Sequence, residues 1–399
     1  MVFNPICIIF ALEIKNLSYM SIAIYTLTSE LHDEQAVTAA TKEFLESLGI
    51  DYELKGDDYT DYGSHSLSLI YVRTGGTEGI FRRLLPQLQG RNQRLFYLLT
   101  SGKSNSLAAS MEILSYLQQH DIKGEIIHGS PTYIARRIRL QEKTEQAIRQ
   151  LNGMRLGIIG KPSDWLISSH ADQKMVKRRL GIEQIDVPMR ELLETVEKQT
   201  NGDIYEALKA IIGKYGLQGF TLRCFDLLTT VKNTGCMPLA KLNSEGYVAG
   251  CEGDVPAMLS MVITRALTGV SGFMANTAHI NPETGEMLFA HCTIPLDMVE
   301  RYETDTHFES GIGVAIRGFM KEGPVTIFKV AGDLSRYFVA EGSLIENQSK
   351  PDLCRTQQLI RLSDKTQASY FLTNPIGNHH IIMPGHQKEL IQSLLSFLT

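Results

Sequence analysis

The chain has 399 residues, and at about 100–200 residues per domain that length calls for two or three domains. Apolar residues make up 43% and charged residues 21%, with 33 glycines and 13 prolines, which is ordinary globular usage and excludes a disordered or collagen-like chain. Lys plus Arg total 39 against 44 Asp plus Glu, a formal charge of −5 with no block of one sign, so nucleic acid and anionic membrane surfaces are not expected partners.

The short apolar run Pro5–Leu12 (PICIIFAL) has no basic residue ahead of it and no small-residue cleavage site. It also falls well short of the roughly 20 apolar residues that cross a bilayer. Residues 1–19 are therefore read as an extension, with the fold opening after Met20. The cysteines Cys7, Cys224, Cys236, Cys251, Cys292 and Cys354 lie far apart and form no CxxC pair. They read as buried or near-site thiols of a reducing compartment, and the expected location is the cytoplasm.

Between residues 20 and 152, apolar runs (SIAIYTL, LSLIYV, RLFYLLT, GEIIHG) alternate with stretches of helical apolar spacing, the pattern of a parallel sheet covered by helices. A second cycle over 153–280 contains RLGIIG, GIEQIDVP, GLQGFTLRC, GYVAGCEGD and SGFMANTAHI, and it is read as a second doubly wound α/β domain. Over 281–399 the runs become short and bounded by turn residues (EMLFAHCTI, GIGVAIRG, GPVTIFKVAG, RYFVAEGSLIE). This predicts an antiparallel, barrel-like β domain closed by the helix HQKELIQSLLSFL.

In open parallel sheets, ligands bind beyond the carboxyl ends of the strands. Leu98–Ala109 (LLTSGKSNSLAA) and the Arg73–Glu78 turn are such junctions, readable either as plain turns or as ligand contacts. Neither is a Walker loop, and no G-x-G-x-x-G fingerprint links strand to helix, so NAD is not expected. Glu252 and Asp254 end the run GYVAG and open an apolar helix. Downstream stand His279, His291 and the pair His379 and His380, each at or inside a predicted strand. Imidazoles gathered with a carboxylate suit Mn(II), Fe(II), Co(II) or Zn(II) better than an all-oxygen calcium cage.

The succession GFTLRCFDL, GYVAGCEGD, GFMANTAHI, MLFAHCTI and the closing PIGNHH resembles the L-fucose isomerase and L-arabinose isomerase superfamily over Met20–Thr399. The resemblance implies an aldose–ketose isomerase of carbohydrate metabolism that works by an enediol route with Mn(II) or another divalent metal. It matches Glu252 to the first carboxylate ligand, His291 to an extra histidine, and one of His379 and His380 to the C-terminal ligand. The second carboxylate falls at Ala275, or one residue on at Asn276, which is then a neutral ligand. Glu252 and Asp254 are the expected proton-transfer residues, with Asp226, water or a neighbouring subunit's group as other partners. Arg73, Lys103, Asn105, His128, Trp165 and His279 are expected to line the sugar. The family also implies a trimer or hexamer. A sugar-binding relative with altered or lost catalysis is the alternative, because Ala275 can neither bind metal nor move a proton.

Overall fold

The computed structural model describes residues 21–90 and 95–396, so the reading of residues 1–19 and Cys7 lie outside the described residues. Two compact units divide between Gln146 and Ala147. In the first unit, β1 (Ile22–Leu27), β2 (Tyr52–Gly56), β3 (Leu67–Val72), β4 (Phe96–Leu99) and β5 (Gly124–Ile127) form one parallel sheet of order β2-β1-β3-β4-β5. β1, β3 and β4 are buried along their whole length, which is why they read as unbroken apolar runs rather than alternating ones.

The second unit opens with β6 (Arg155–Ile159), β7 (Glu183–Val187), β8 (Gly219–Leu222) and β9 (Val248–Gly250), a parallel sheet of order β7-β6-β8-β9. A closed antiparallel barrel follows. Its strands are β10 (Phe273–Asn281), β11 (Glu286–His291), β14 (Gly323–Val330), β15 (Tyr337–Gln348), β16 (Thr356–Leu362) and β17 (His379–Pro384), in the order β10-β11-β16-β15-β14-β17. Between them β12 (Arg301–Asp305) and β13 (Ala315–Phe319) make a separate hairpin. The fold class is thus two parallel α/β layers and a β-barrel, as the element pattern predicts.

One element sits elsewhere than its rhythm suggests. SGFMANTAHI, expected as a strand of the second parallel layer, is β10 of the barrel and pairs antiparallel with β11 and β17. Its polar, partly exposed second half is tolerated by an antiparallel strand with one solvated face, not by a buried parallel one. Alternate residues from the strands (Phe273, Ala275, Met287, Phe289, Val325, Ile327, Ala340, Ile360, Ile382) fill the barrel interior. The helix Val255–Thr268, starting just beyond β9, is buried on nearly every face and packs on β9, β14 and β17. It joins the carboxyl end of the sheet to one end of the barrel. No helix among the described residues is long and apolar enough to cross a membrane.

Candidate metal centre

The site starts from a tight turn. After β9, Glu252 takes a left-handed conformation (φ +60°), uncommon for a residue with a side chain, and Gly253 follows at φ +73°. A Cβ on Gly253 would stand 2.4 Å from the carbonyl oxygen of Lys161, so only glycine lets the turn lie against the Lys161–Pro162 backbone. Asp254 then caps the helix Val255–Thr268, its Oδ1 accepting the Ala257 N–H at 2.8 Å. The turn therefore fixes two adjacent carboxylates with opposite duties.

Glu252 is nearly buried (7% exposed), and its Oε1 lies 3.4 Å from Nε2 of His291, at the end of β11, and 3.4 Å from Nε2 of His379, at the start of β17. Among the described residues these three side chains form a group able to hold a metal ion. Both imidazoles are turned by their other nitrogen. His379 Nδ1 is 2.9 Å from Asp254 Oδ2, and His291 Nδ1 is 3.1 Å from Thr293 Oγ1. This carboxylate–histidine arrangement leaves both Nε2 atoms aimed at Glu252, and such outer partners fix tautomer and ring orientation in metal sites. Asp254 is held in turn by Lys329 of β14, whose Nζ is 3.4 Å from both carboxylate oxygens, with both residues buried. The other oxygen of Glu252, Oε2, accepts the Trp165 indole N–H at 2.7 Å.

The electrostatics follow from burial and pairing. Burial pushes the Glu252 carboxyl up, but the imidazoles of His379 and His291 outweigh it and hold the group well below the usual carboxylate range. Burial likewise opposes ionisation of Asp254, yet Lys329 and His379 bring it down to about 2. His379 is driven down by burial and further up by Glu252 and Asp254, ending at about 9. Lys329 is lowered by burial against the pull of Asp254.

The donor set fits a divalent ion. His379 is fully buried, and its Nε2 has no hydrogen-bond partner. The 3.4 Å spacings to Oε1 exceed the usual 2.9–3.0 Å of an N–H···O bond. Bond lengths of about 2.0–2.1 Å place two ligand atoms on a tetrahedral ion about 3.4 Å apart. Two imidazoles and one carboxylate also match the preferences of first-row divalent metals.

His380 is corrected from the ligand set. It stands opposite Ala275 in the β10–β17 ladder, on the barrel side, while His379 stands opposite Asn276. Its Nε2 is 3.1 Å from the Tyr370 hydroxyl, its ring packs on Phe371, and burial followed by the charge of Lys329 pushes it down to about 3. Ala275 belongs to the same interior, so the position that reaches the His379 face of β10 is Asn276, whose Oδ1 accepts from Asn378 at 2.9 Å. His279 lies exposed beside a bulge in β10 and is not gathered into the cluster. Asp226 is engaged by Arg223 Nε at 3.0 Å. Arg73, Lys103, Asn105 and His128 belong to the first unit. There Arg73 meets Thr38, Lys103 meets Glu43, Asn105 caps the helix Ser106–Gln119 in a left-handed conformation, and His128 contacts the Thr100 carbonyl.

Lys329, Thr293 and Arg223 were not predicted as parts of the site. Lys329 carried a usable clue, since it is the one charge inside the apolar run GPVTIFKVAG. The thiols do gather near the ligands. Cys251 precedes Glu252 with its Sγ 3.0 Å from that of Cys224, and Cys292 follows His291 and packs with Cys236 and Cys354.

The chain is similar to curated sulfoquinovose isomerases. With those of Priestia aryabhattai and Priestia megaterium (strain ATCC 12872 / QMB1551) it is 24% identical over 279 residues, covering 61% of this chain and 63% of each relative. With that of Alkalicoccus urumqiensis it is 24% identical over 261 residues, covering 57% and 59%. The matches thus span less than two thirds of these relatives' length. No family model matches the chain.

Proposed function

We propose that the protein is an aldose–ketose sugar isomerase of the L-fucose/L-arabinose isomerase type, working with Mn(II) or a similar divalent cation held by Glu252, His291 and His379. The observation that carries this reading is the convergence of three buried donors whose other atoms are tied down by Asp254, Thr293 and Trp165. The similarity to sulfoquinovose isomerases supports it and makes sulfoquinovose the first sugar to try.

When bound, the cation supplies a Lewis acid to the carbonyl and hydroxyl oxygens of an open-chain sugar. The chain's own residues set the stage for it. Glu252, kept ionised, is a ligand. Asp254 has its oxygens taken by Lys329, the Ala257 N–H and His379, so its part is to position His379 rather than to move the proton between C1 and C2. Asn276 stands beside His379 on β10 as a neutral neighbour of the centre. The site belongs to a reducing compartment with reduced thiols around it, and a homo-oligomer remains part of the proposal.

The single carboxylate of the triad favours a second reading, a sugar-binding relative with altered or lost catalysis. Ketose formation from a panel of aldoses, sulfoquinovose included, with and without added Mn(II), separates the two. Metal-dependent conversion of any sugar supports the isomerase. A sugar that raises the melting temperature while none converts supports the second reading.

A further inference from the structure

Trp165 is the only tryptophan in the chain, and it stands on the irregular segment between β6 and the helix Gln173–Leu180. Half of it is exposed (52%), yet its N–H reaches a buried ligand carboxylate. An exposed side chain normally wanders, but this one is held from several directions. Ser163 N–H donates to the Glu252 carbonyl at 2.9 Å. Arg223, at the end of β8, donates to the Pro162 carbonyl at 2.8 Å and to both oxygens of Asp164 at 3.1 and 2.9 Å. The indole also meets Phe225 edge-on, with ring centres 4.7 Å apart. A bond from a neutral N–H to a carboxylate is charge-assisted and correspondingly strong.

The two oxygens of Glu252 are thereby divided. Oε2 is occupied by the indole, and Oε1 faces both histidine Nε2 atoms. A carboxylate with both oxygens free can chelate a cation, and one that is pinned offers a single oxygen. Resting on the metal reading above, we propose that Trp165 is a positioning residue that makes Glu252 a one-oxygen ligand. Its fluorescence then reports directly on the state of that ligand.

The test uses metal-stripped full-length protein with Mn(II) and Co(II) alone as probes. In the wild type, Mn(II) should change Trp165 emission saturably, with the same dissociation constant that calorimetry gives. Trp165→Phe keeps a ring against Phe225 but loses the N–H, and should weaken Mn(II) binding about 10–100-fold, the range seen when outer partners of ligands are removed. In the same variant the visible bands of bound Co(II) should weaken, because a second oxygen can now join the ion. A circular-dichroism melt verifies that the variant folds. Should it not fold, the metal-free Glu252→Ala variant decides instead, since loss of the acceptor should shift Trp165 emission. Unchanged affinity and Co(II) bands in Trp165→Phe, or unchanged emission in Glu252→Ala, overturn the inference alone. Failure of the wild type to bind either ion overturns the metal reading and this inference together, and that failure is visible without any variant.

Discussion

Two strand-to-helix turns in this protein are built from the same parts and end differently. Thr100–Ser106 follows β4 and Cys251–Val255 follows β9. Each leaves the carboxyl end of a parallel strand through glycine and left-handed non-glycine residues, Ser104 and Asn105 in one and Glu252 in the other. The first is tied mainly by neutral groups: Thr100 and Ser106 hydroxyls lie 2.6 Å apart, the Gly102 and Lys103 N–H groups donate to Thr100 and Ser101, and the Gly75 N–H donates to the Ser104 carbonyl at 2.7 Å. The second brings buried ionisable groups together from other elements, Glu252 with His291 and His379 and Asp254 with Lys329, and leaves His379 Nε2 without a hydrogen-bond partner. A turn whose buried hydrogen-bonding groups are all satisfied by backbone and neutral neighbours is structure. A turn whose buried donors and acceptors close only around something else is a site.

The comparison breaks most sharply at Glu252. Glu252→Gln should lower Mn(II) affinity, and any metal-dependent ketose formation, by more than the roughly 10–100-fold that outer-partner changes cost. Wild-type turnover in that variant would remove Glu252 from the mechanism. Next comes Asp254→Asn. It should cost about 10–100-fold in metal affinity, and about 3–5 kcal/mol of stability, because Lys329 is left buried without its counter-charge. Denaturant titration beside the metal titration reads both. Pairing Asp254→Leu with Lys329→Met should restore much of the stability while metal affinity stays low.

The third effect concerns pH. His379 sits at about 9 in the metal-free protein, above its ordinary value, so it carries an extra proton at neutral pH that a cation must displace. Mn(II) affinity should therefore rise as pH rises from about 7 toward 9, by up to about tenfold per unit, and level off above. Calorimetry in buffers of different ionisation enthalpy should count about one proton released per ion at pH 7. The smallest effect sharpens the other turn. Ser104→Gly removes a left-handed side chain and should stabilise the protein by up to about 1 kcal/mol, with Mn(II) affinity unchanged.

The sequence made some of this legible because the chemistry was local. Glu252 and Asp254 were visible as carboxylates between an apolar run and an apolar helix, and His291 as a polar break in EMLFAHCTI. The choice between His379 and His380 was not local. Adjacent residues on a strand face opposite sides, and only the pairing of β17 with β10 tells which side is barrel interior. The same pairing sends Ala275 inward and leaves Asn276 beside His379. Lys329 escaped because it acts through a contact to another element, across 75 residues to Asp254, whereas Thr293 is local to His291, two residues away, but a threonine there carries no signal of its own. The parallel and antiparallel layers were readable from run length and turn spacing, while the membership of β10 depended on partners that its own residues do not name.

The most direct measurement is the equilibrium binding of Mn(II) to metal-stripped protein, wild type beside His379→Asn and His380→Asn. Saturable binding of about one ion per chain is expected from one triad. It should be lost in His379→Asn and retained in His380→Asn. No binding by the wild type, or equal loss in both variants, would contradict the assignment of Glu252, His291 and His379 as the centre of this protein's chemistry.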